Sequence, residues 1–424
     1  MEIRLFNHCY YLLPLFIFLL STLPLTISIG INYGQVADNL RDPKDVLPLL
    51  RSINVTKVKL YDTNPKILKA FAHTGIEFTV GLPDKYITDL ANSTSSAIHW
   101  LKSNIIPYLP GTNITSITVG NEVLTGKDAA NVDSLLPAME SLHTALHKLH
   151  LDGRISVTTP YSLDILDSSY PPSSSTFKPD VKPYMAKILP FMWKTKSPFL
   201  INAYPYFAYK SDPTGVKIDY VLFESTDSGV VDSTTNLKYD NMLFAQVDAV
   251  RAAIVSVLGK KKGGELEVRV SETGWPSKGD VDEKGATKEN ARKYNGNLMK
   301  LVDKEKKGTP MAPHVALEVY IFAVFNENLK PGPTSERNYG LFKPDGTPAY
   351  DFGLKLLKKN STDSLNNSRL TGVGNLTSPT PSPAPTPSLD LNRTSSAHKV
   401  SNCFGSLIEL VVPAILLVVL SPSW

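Results

Sequence analysis

The chain has 424 residues, a formal net charge of +4 and two cysteines, Cys9 and Cys403, one near each end. With so small a charge and no arginine-rich stripe interleaved with aromatics, there is no footprint for nucleic acid, and the lysines at 260–262 read as a solvated loop. Cysteines confined to the ends exclude a disulfide framework, a thiolate nucleophile and a cysteine-based zinc site in everything between them.

Residues 1–28 read as a secretory signal peptide. Arg4 supplies a basic start, an apolar stretch runs from Tyr11 to Ile27, and Thr26 and Ser28 supply the small residues of a cleavage site. A buried first helix is the alternative, but Pro14 and Pro24 would break it. The mature chain is therefore expected to begin at Ile29. A secreted domain without disulfides needs a large core of its own, and residues 29–357 are long enough to bury one. The secretory route makes the N-glycosylation sequons at Asn54, Asn92, Asn113, Asn360, Asn366, Asn375 and Asn392 usable.

Between the ends, β-type apolar runs alternate with helical patterns. Strands are predicted at 29–33, 57–61, 77–81, 117–122, 154–159, 199–204, 267–272 and 315–325. Helices are predicted at 65–73, 95–106, 132–150, 183–193, 241–258, 287–303 and 349–357, with a short one around 45–51. Strands each followed by a helix imply a parallel sheet closed into a single (β/α)8 TIM barrel, and near-continuous apolar runs such as ITSITV fit strands covered on both faces. An open doubly wound sheet normally carries a phosphate loop after its first strand, and Asn32-Tyr33-Gly34-Gln35 is not one.

After Leu357 the character changes. Residues 358–395 are polar and then Pro/Ser-rich (SPTPSPAPTPS at 378–388), a composition expected to form a disordered, extended, O-glycosylated stalk. Residues 396–424 contain the apolar run LIELVVPAILLVVL at 407–420, just short of the C-terminus and shorter than the roughly 20 residues that span a bilayer. Small residues at 395–397, a polar spacer and a terminal apolar tail form the pattern of a GPI-anchor signal, with Ser395 as the attachment residue and Asn402 as a rival. A plain tail anchor or a cleaved tail is the alternative. The expected location is the outer face of the plasma membrane, held by a GPI lipid and facing the cell wall.

Two strand ends carry candidate chemistry: Val119-Gly120-Asn121-Glu122 and Ser271-Glu272-Thr273-Gly274-Trp275-Pro276. The C-terminal ends of barrel strands form the reaction face, so both glutamates are expected in one cleft. Glycoside cleavage needs one protonated carboxyl at the leaving oxygen and one ionised carboxylate, and a separation of about 5–5.5 Å makes the second a nucleophile. Mutual repulsion and burial would split their pKa values. Asn121 is a candidate partner for the sugar 2-hydroxyl. Taken singly, Glu122 also reads as a helix-start carboxylate and Glu272 as a strand-end ion-pair partner.

VGNEV and VSETGWPS together resemble glycoside hydrolase family 17, the plant β-1,3-glucanases. IGINYGQ at 29–35, NAYPYF at 202–207 and FNENLKPGPTSERNYGLF at 325–342 match as well, so the resemblance covers residues 29–357. It implies a (β/α)8 barrel, retaining stereochemistry and an open groove for endo-attack on β-1,3-glucan such as callose. It assigns Glu272 as nucleophile and Glu122 as acid/base. Glu318 and Glu327 match two further acids near the cleft, read as positioning or electrostatic residues or as ordinary ion-pair partners. Tyr204 is a candidate hydrogen-bond donor to the nucleophile, and Tyr33, Phe207 and Trp275 are candidate sugar-packing rings, each with a structural role as the alternative. The cysteine-rich carbohydrate-binding module carried by many plant relatives has no counterpart here.

No metal or cofactor is expected. His143, His147 and His150 share a helix face but lack the Glu of a zincin, and there is neither a Gly-x-Ser-x-Gly elbow nor a P-loop. The expected molecule is a monomeric hydrolase of β-1,3-glucan. A GPI-anchored glucan-binding wall protein with little hydrolysis and a β-glucan transglycosylase are the alternatives.

Overall fold

The computed structural model describes residues 29–225, 229–302 and 308–352. The signal peptide, the stalk, the GPI signal with Ser395, and the sequons at Asn360, Asn366, Asn375 and Asn392 all lie outside these residues.

The barrel strands are β1 (Ile29–Asn32), β2 (Val55–Lys59), β3 (Glu77–Leu82), β4 (Asn113–Val119), β5 (Ser156–Thr158), β6 (Pro160–Ser162), β9 (Phe199–Asn202), β12 (Val268–Thr273) and β13 (Val319–Phe322). All pair in parallel, in the order β5-β4-β3-β2-β1-β13-β12-β9-β6. The fifth barrel strand, expected as one run over 154–159, is therefore in two pieces separated by Thr159. Its first piece pairs with β4 and its second with β9, so the chain itself joins the two ends of the sheet. Pro160 explains the break, because it has no N–H to donate to a ladder. Its carbonyl instead accepts from the backbone N–H of Glu122 at 3.0 Å.

The strands alternate more than their apolar runs imply. Ile31, Val58, Phe78, Val80, Ile117, Ile201, Val268, Val270, Val319 and Ile321 are buried on one side, beneath the surrounding helices. The intervening residues (Asn32, Lys57, Lys59, Glu77, Thr79, Ser116, Asn202, Arg269, Ser271) fall on the opposite, barrel-interior side. The interior is thus polar at both ends, and its functional groups sit on a rigid, covered sheet.

Most expected helices are present with shifted ends. The first is split into a 3-10 turn, Pro43–Asp45, and a helix, Leu47–Ser52. The helix expected at 95–106 is Thr94–Asn104, capped by the Ser93 side chain, and a further helix that was not anticipated, Ile87–Asn92, precedes it. Met242–Glu265 runs past the expected end, with non-helical backbone at Gly259. The helix expected at 349–357 is absent over 349–352, and the remainder lies outside the described residues.

Elements not anticipated cluster on the loops above the barrel. They include the antiparallel pairs β7 (Leu166–Ser168) with β8 (Thr176–Phe177) and β10 (Val230–Val231) with β11 (Lys238–Tyr239), and the helices Pro205–Ser211 and Ile218–Val221. Asn54, Asn92 and Asn113 are exposed. Asn54 immediately precedes β2 and Asn113 begins β4, so both lie at the floor of the barrel, opposite the strand C-termini.

Candidate active site

β4 ends at Val119, and the chain then turns sharply. Gly120 (φ 65°) and Glu122 (φ 56°) both adopt left-handed backbone, and the Asn121 N–H donates to Asp84 Oδ1 at 3.2 Å. A Cβ at Gly120 would overlap Val123, so this turn requires glycine there. It delivers the Glu122 side chain to the barrel mouth, where Oε1 accepts from Asn202 Nδ2 at 2.8 Å. Glu122 makes no side-chain cap to the 3-10 turn that follows it.

Across the mouth, β12 presents Glu272, which is 7% exposed. Its Oε1 lies 2.8 Å from Lys59 Nζ and 2.7 Å from the Tyr61 hydroxyl, and its Oε2 accepts from the Tyr204 hydroxyl at 2.9 Å. Asn32 braces this group: its Oδ1 faces Lys59 Nζ at 3.3 Å, and its Nδ2 donates to the carbonyls of Ser271 and Ile321. Ser271 Oγ donates to Asn202 Oδ1 at 2.7 Å, so Asn202 links the two glutamates. Both carboxyls line one cleft of about 590 Å³ with Gln35, Asp62, Asn121, Phe207, Phe322, Glu327, Lys330 and Glu336.

The pKa values of the two carboxyls are shifted in opposite directions. Burial, then the nearby Glu272 charge, raises Glu122 above the ordinary carboxylate range. Burial alone would raise Glu272 too, but the Lys59 ammonium and the hydrogen bonds from Lys59 and Tyr61 outweigh it and hold Glu272 below that range. Burial and the Glu272 charge keep the Tyr61 and Tyr204 phenols protonated, hence donors.

Other candidates are placed unequally. Asn121 and Phe207 line the cleft, and Asn121 Oδ1 is buried with no hydrogen-bond partner. Glu327 lines it as well, and its Oε2 accepts from the Val36 N–H at 2.7 Å, which fixes the loop after β1. Glu318 does not line the cleft. It immediately precedes β13, at the N-terminal end of the strand, and is paired with Lys57 at 2.5 Å and Arg269 at 3.3 Å on the barrel floor. Trp275 cannot pack on a sugar face here: it is 0% exposed, enclosed by Tyr206, Tyr209 and Tyr294, and its indole N–H donates to the Gly285 carbonyl. Tyr33 is likewise buried, edge-on to Phe325. Among the histidines, His147 bonds to Asp152 and His143 packs on Phe191. Among the described residues no group of His, Cys, Asp and Glu is arranged to hold a metal.

Lys59, Tyr61, Asn32 and Asn202 were missed. The signal was present in KVKLY: lysines two apart in a strand share a face, and a covered strand can only point them into the barrel.

Comparison with known proteins places the chain. The family model of glycosyl hydrolases family 17 matches residues 29–354. Glucan endo-1,3-beta-glucosidase 11 of Arabidopsis thaliana is 54% identical over 84% of this chain and 82% of its own length. Glucan endo-1,3-beta-glucosidase 10 of the same plant is 52% identical over 83% and 82%. Among solved structures, CJP38, a beta-1,3-glucanase and allergen of Cryptomeria japonica pollen, superposes with a TM-score of 0.72 at 42% identity, covering 77% of this chain and 99% of that one. One of two plant beta-glucan endohydrolases with distinct substrate specificities gives 0.69 at 37% identity, covering 76% and 99%. With the barrel, the cleft and a family match across the whole described region, the chain belongs to the glycosyl hydrolases of family 17.

Proposed function

We propose that this protein is a retaining endo-hydrolase of (1→3)-β-D-glucosidic linkages in β-1,3-glucans such as callose or laminarin. Two carboxyls that line one cleft, with pKa values shifted in opposite directions, carry the reading. Glu122, raised by burial, is the general acid that protonates the leaving oxygen. Glu272, ionised beside Lys59, is the nucleophile that attacks the anomeric carbon. Tyr204 and Tyr61 hold the Glu272 oxygens in place, and Asn121, which lines the cleft with Glu122, is the candidate partner for the sugar 2-hydroxyl. In the second half, the Glu122 carboxylate takes a proton from water, which displaces Glu272 with net retention. An open cleft suits attack within a polymer, and the names of the relatives favour the 1,3 linkage.

The test is incubation of the purified barrel with laminarin and lichenan, followed by product sizing and NMR of the first-formed anomer. Short β-anomeric oligosaccharides from laminarin are expected, and Glu272→Gln should abolish them while leaving glucan binding measurable. An α-anomeric first product, or wild-type turnover by Glu272→Gln, would overturn the assignment. The N- and C-terminal signals support secretion and a GPI lipid at the outer plasma membrane. Release of the full-length protein from plant membranes by a phosphatidylinositol-specific phospholipase tests this, and retention after treatment refutes it.

A further inference from the structure

Lys59 sits directly behind Glu272, fully inside the barrel. Its side chain is 1% exposed, its ammonium is 2.8 Å from Glu272 Oε1, and it also lies over the Tyr61 ring at 4.1 Å. A buried ammonium is costly unless paired, and Glu272 is its ion-pair partner. The two-step reading of the site consumes that partner: once the Glu272 oxygen is bonded to the sugar, it carries no charge.

We propose that Lys59 is a positioning residue that drives the second half of the reaction by favouring return of the electron pair to Glu272. This rests on the assignment of Glu272 as nucleophile. In the first step the C1–O bond to Glu272 forms as the C1–O bond to the leaving group breaks, and the Glu122 proton goes to the leaving oxygen. Net charge in the cleft is unchanged, but the negative charge moves from Glu272, in contact with Lys59, to Glu122, which accepts from Asn202 instead. In the second step water oxygen bonds to C1, its proton goes to Glu122, and the electron pair of the breaking bond returns to Glu272. That return restores the contact ion pair. Lys59 therefore stabilises the second transition state relative to the intermediate, and it stabilises the free carboxylate more than the first transition state. Its loss selectively slows deglycosylation. Removing a charge-assisted hydrogen bond of this kind slows the step by roughly 10- to 100-fold.

The experiment uses 2,4-dinitrophenyl β-laminaribioside, whose leaving group needs little acid assistance, with rapid-mixing absorbance and intact-protein mass spectrometry. Lys59→Met is expected to give a burst approaching one equivalent of dinitrophenol, then slow turnover, with a laminaribiosyl adduct on Glu272. Lys59→Arg, which keeps the charge, is expected to accumulate less adduct. The ratio of burst rate to steady-state rate is insensitive to a misfolded fraction, and Lys59→Gln reads the same ratio should the Met variant not fold. Equal slowing of both phases without adduct, or equal adduct in the Arg and Met variants, would overturn the proposal. Glu122→Ala separates the two claims: an adduct mapped to another residue in that variant refutes the nucleophile assignment itself, whatever Lys59 does.

Discussion

Glu283→Ala probes how the cleft wall is held. The Glu283 side chain is 0% exposed and accepts from the Ser335 N–H (2.9 Å), Ser335 Oγ (2.5 Å), the Asp280 N–H (3.0 Å) and Lys210 Nζ (3.1 Å). It thereby ties together the helix after β9, the loop after β12 and the turn after β13. Ser335 is adjacent to Glu336, which lines the cleft beside Lys330, its ion-pair partner at 3.2 Å. Alanine leaves the Lys210 charge and the Asp280 and Ser335 donors without their acceptor. Breaking a buried ion pair from one side costs about 3–5 kcal/mol. For a domain of more than 300 residues that corresponds to a fall in Tm of roughly 4–7 °C. Because the loosened segment carries Glu336 rather than either central glutamate, KM for laminarin should rise more than kcat falls. Glu283→Gln, which keeps an acceptor for Ser335, should lose less. The hydrogen bonds outweigh burial and depress the Glu283 pKa, so its contribution is present above the ordinary carboxylate range and disappears as pH falls through the folded-state value. The gap between wild type and Glu283→Ala should therefore shrink in acid. Differential scanning fluorimetry across pH and laminarin kinetics check both parts. A Tm within about 2 °C of wild type at neutral pH would refute the energetic argument, and a large Tm loss with unchanged KM would refute the cleft-wall argument.

On the proposed mechanism activity should follow a bell in pH, since it requires Glu272 ionised and Glu122 protonated. The acid limb then lies below the ordinary carboxylate range and the alkaline limb above it, as read from kcat/KM profiles. In Lys59→Met the acid limb should move up, and an unmoved limb would show that Lys59 does not set the charge of Glu272. Gly34→Ala places a Cβ against the Glu327 carboxylate, so the loop after β1 must shift; a stability loss of about 1–3 kcal/mol by denaturant unfolding is expected, with weakened glucan affinity. Trp275→Phe removes the indole bond to Gly285 but keeps an aromatic in the packed cluster. It should cost about 1 kcal/mol of stability and leave product lengths from laminarin unchanged, whereas altered product lengths would restore a substrate-facing role.

Why some of this was legible and some was not follows from where the information resides. The barrel and both glutamates rest on local pattern: a strand, its C-terminal end and a glycine-bearing turn are contiguous in sequence, so their place on the reaction face follows from topology alone. Position along a strand carries equal information. Glu318 immediately precedes its strand and belongs to the floor with Lys57 and Arg269, whereas Lys59 ends β2 and belongs to the mouth; the sharing of one face by Lys57 and Lys59 was readable by the period of two. Trp275 shows where such reasoning stops. It lies past the end of β12, where no period fixes side-chain direction, and its neighbours Tyr206 and Gly285 come from two different loops. Glu283 is an extreme case, since its partners Ser335 and Lys210 lie 52 and 73 residues away in segments with only short helices. Charge pairing between such segments is set by how the loops fold over the barrel, and loop packing is where single-sequence patterns carry least information. The same reasoning accounts for the cleft: the two central glutamates and the groups that hold them belong to strands and their ends, while those that hold the walls belong to loops, so the proposed chemistry is more visible in the sequence than the shape of the groove that confines it.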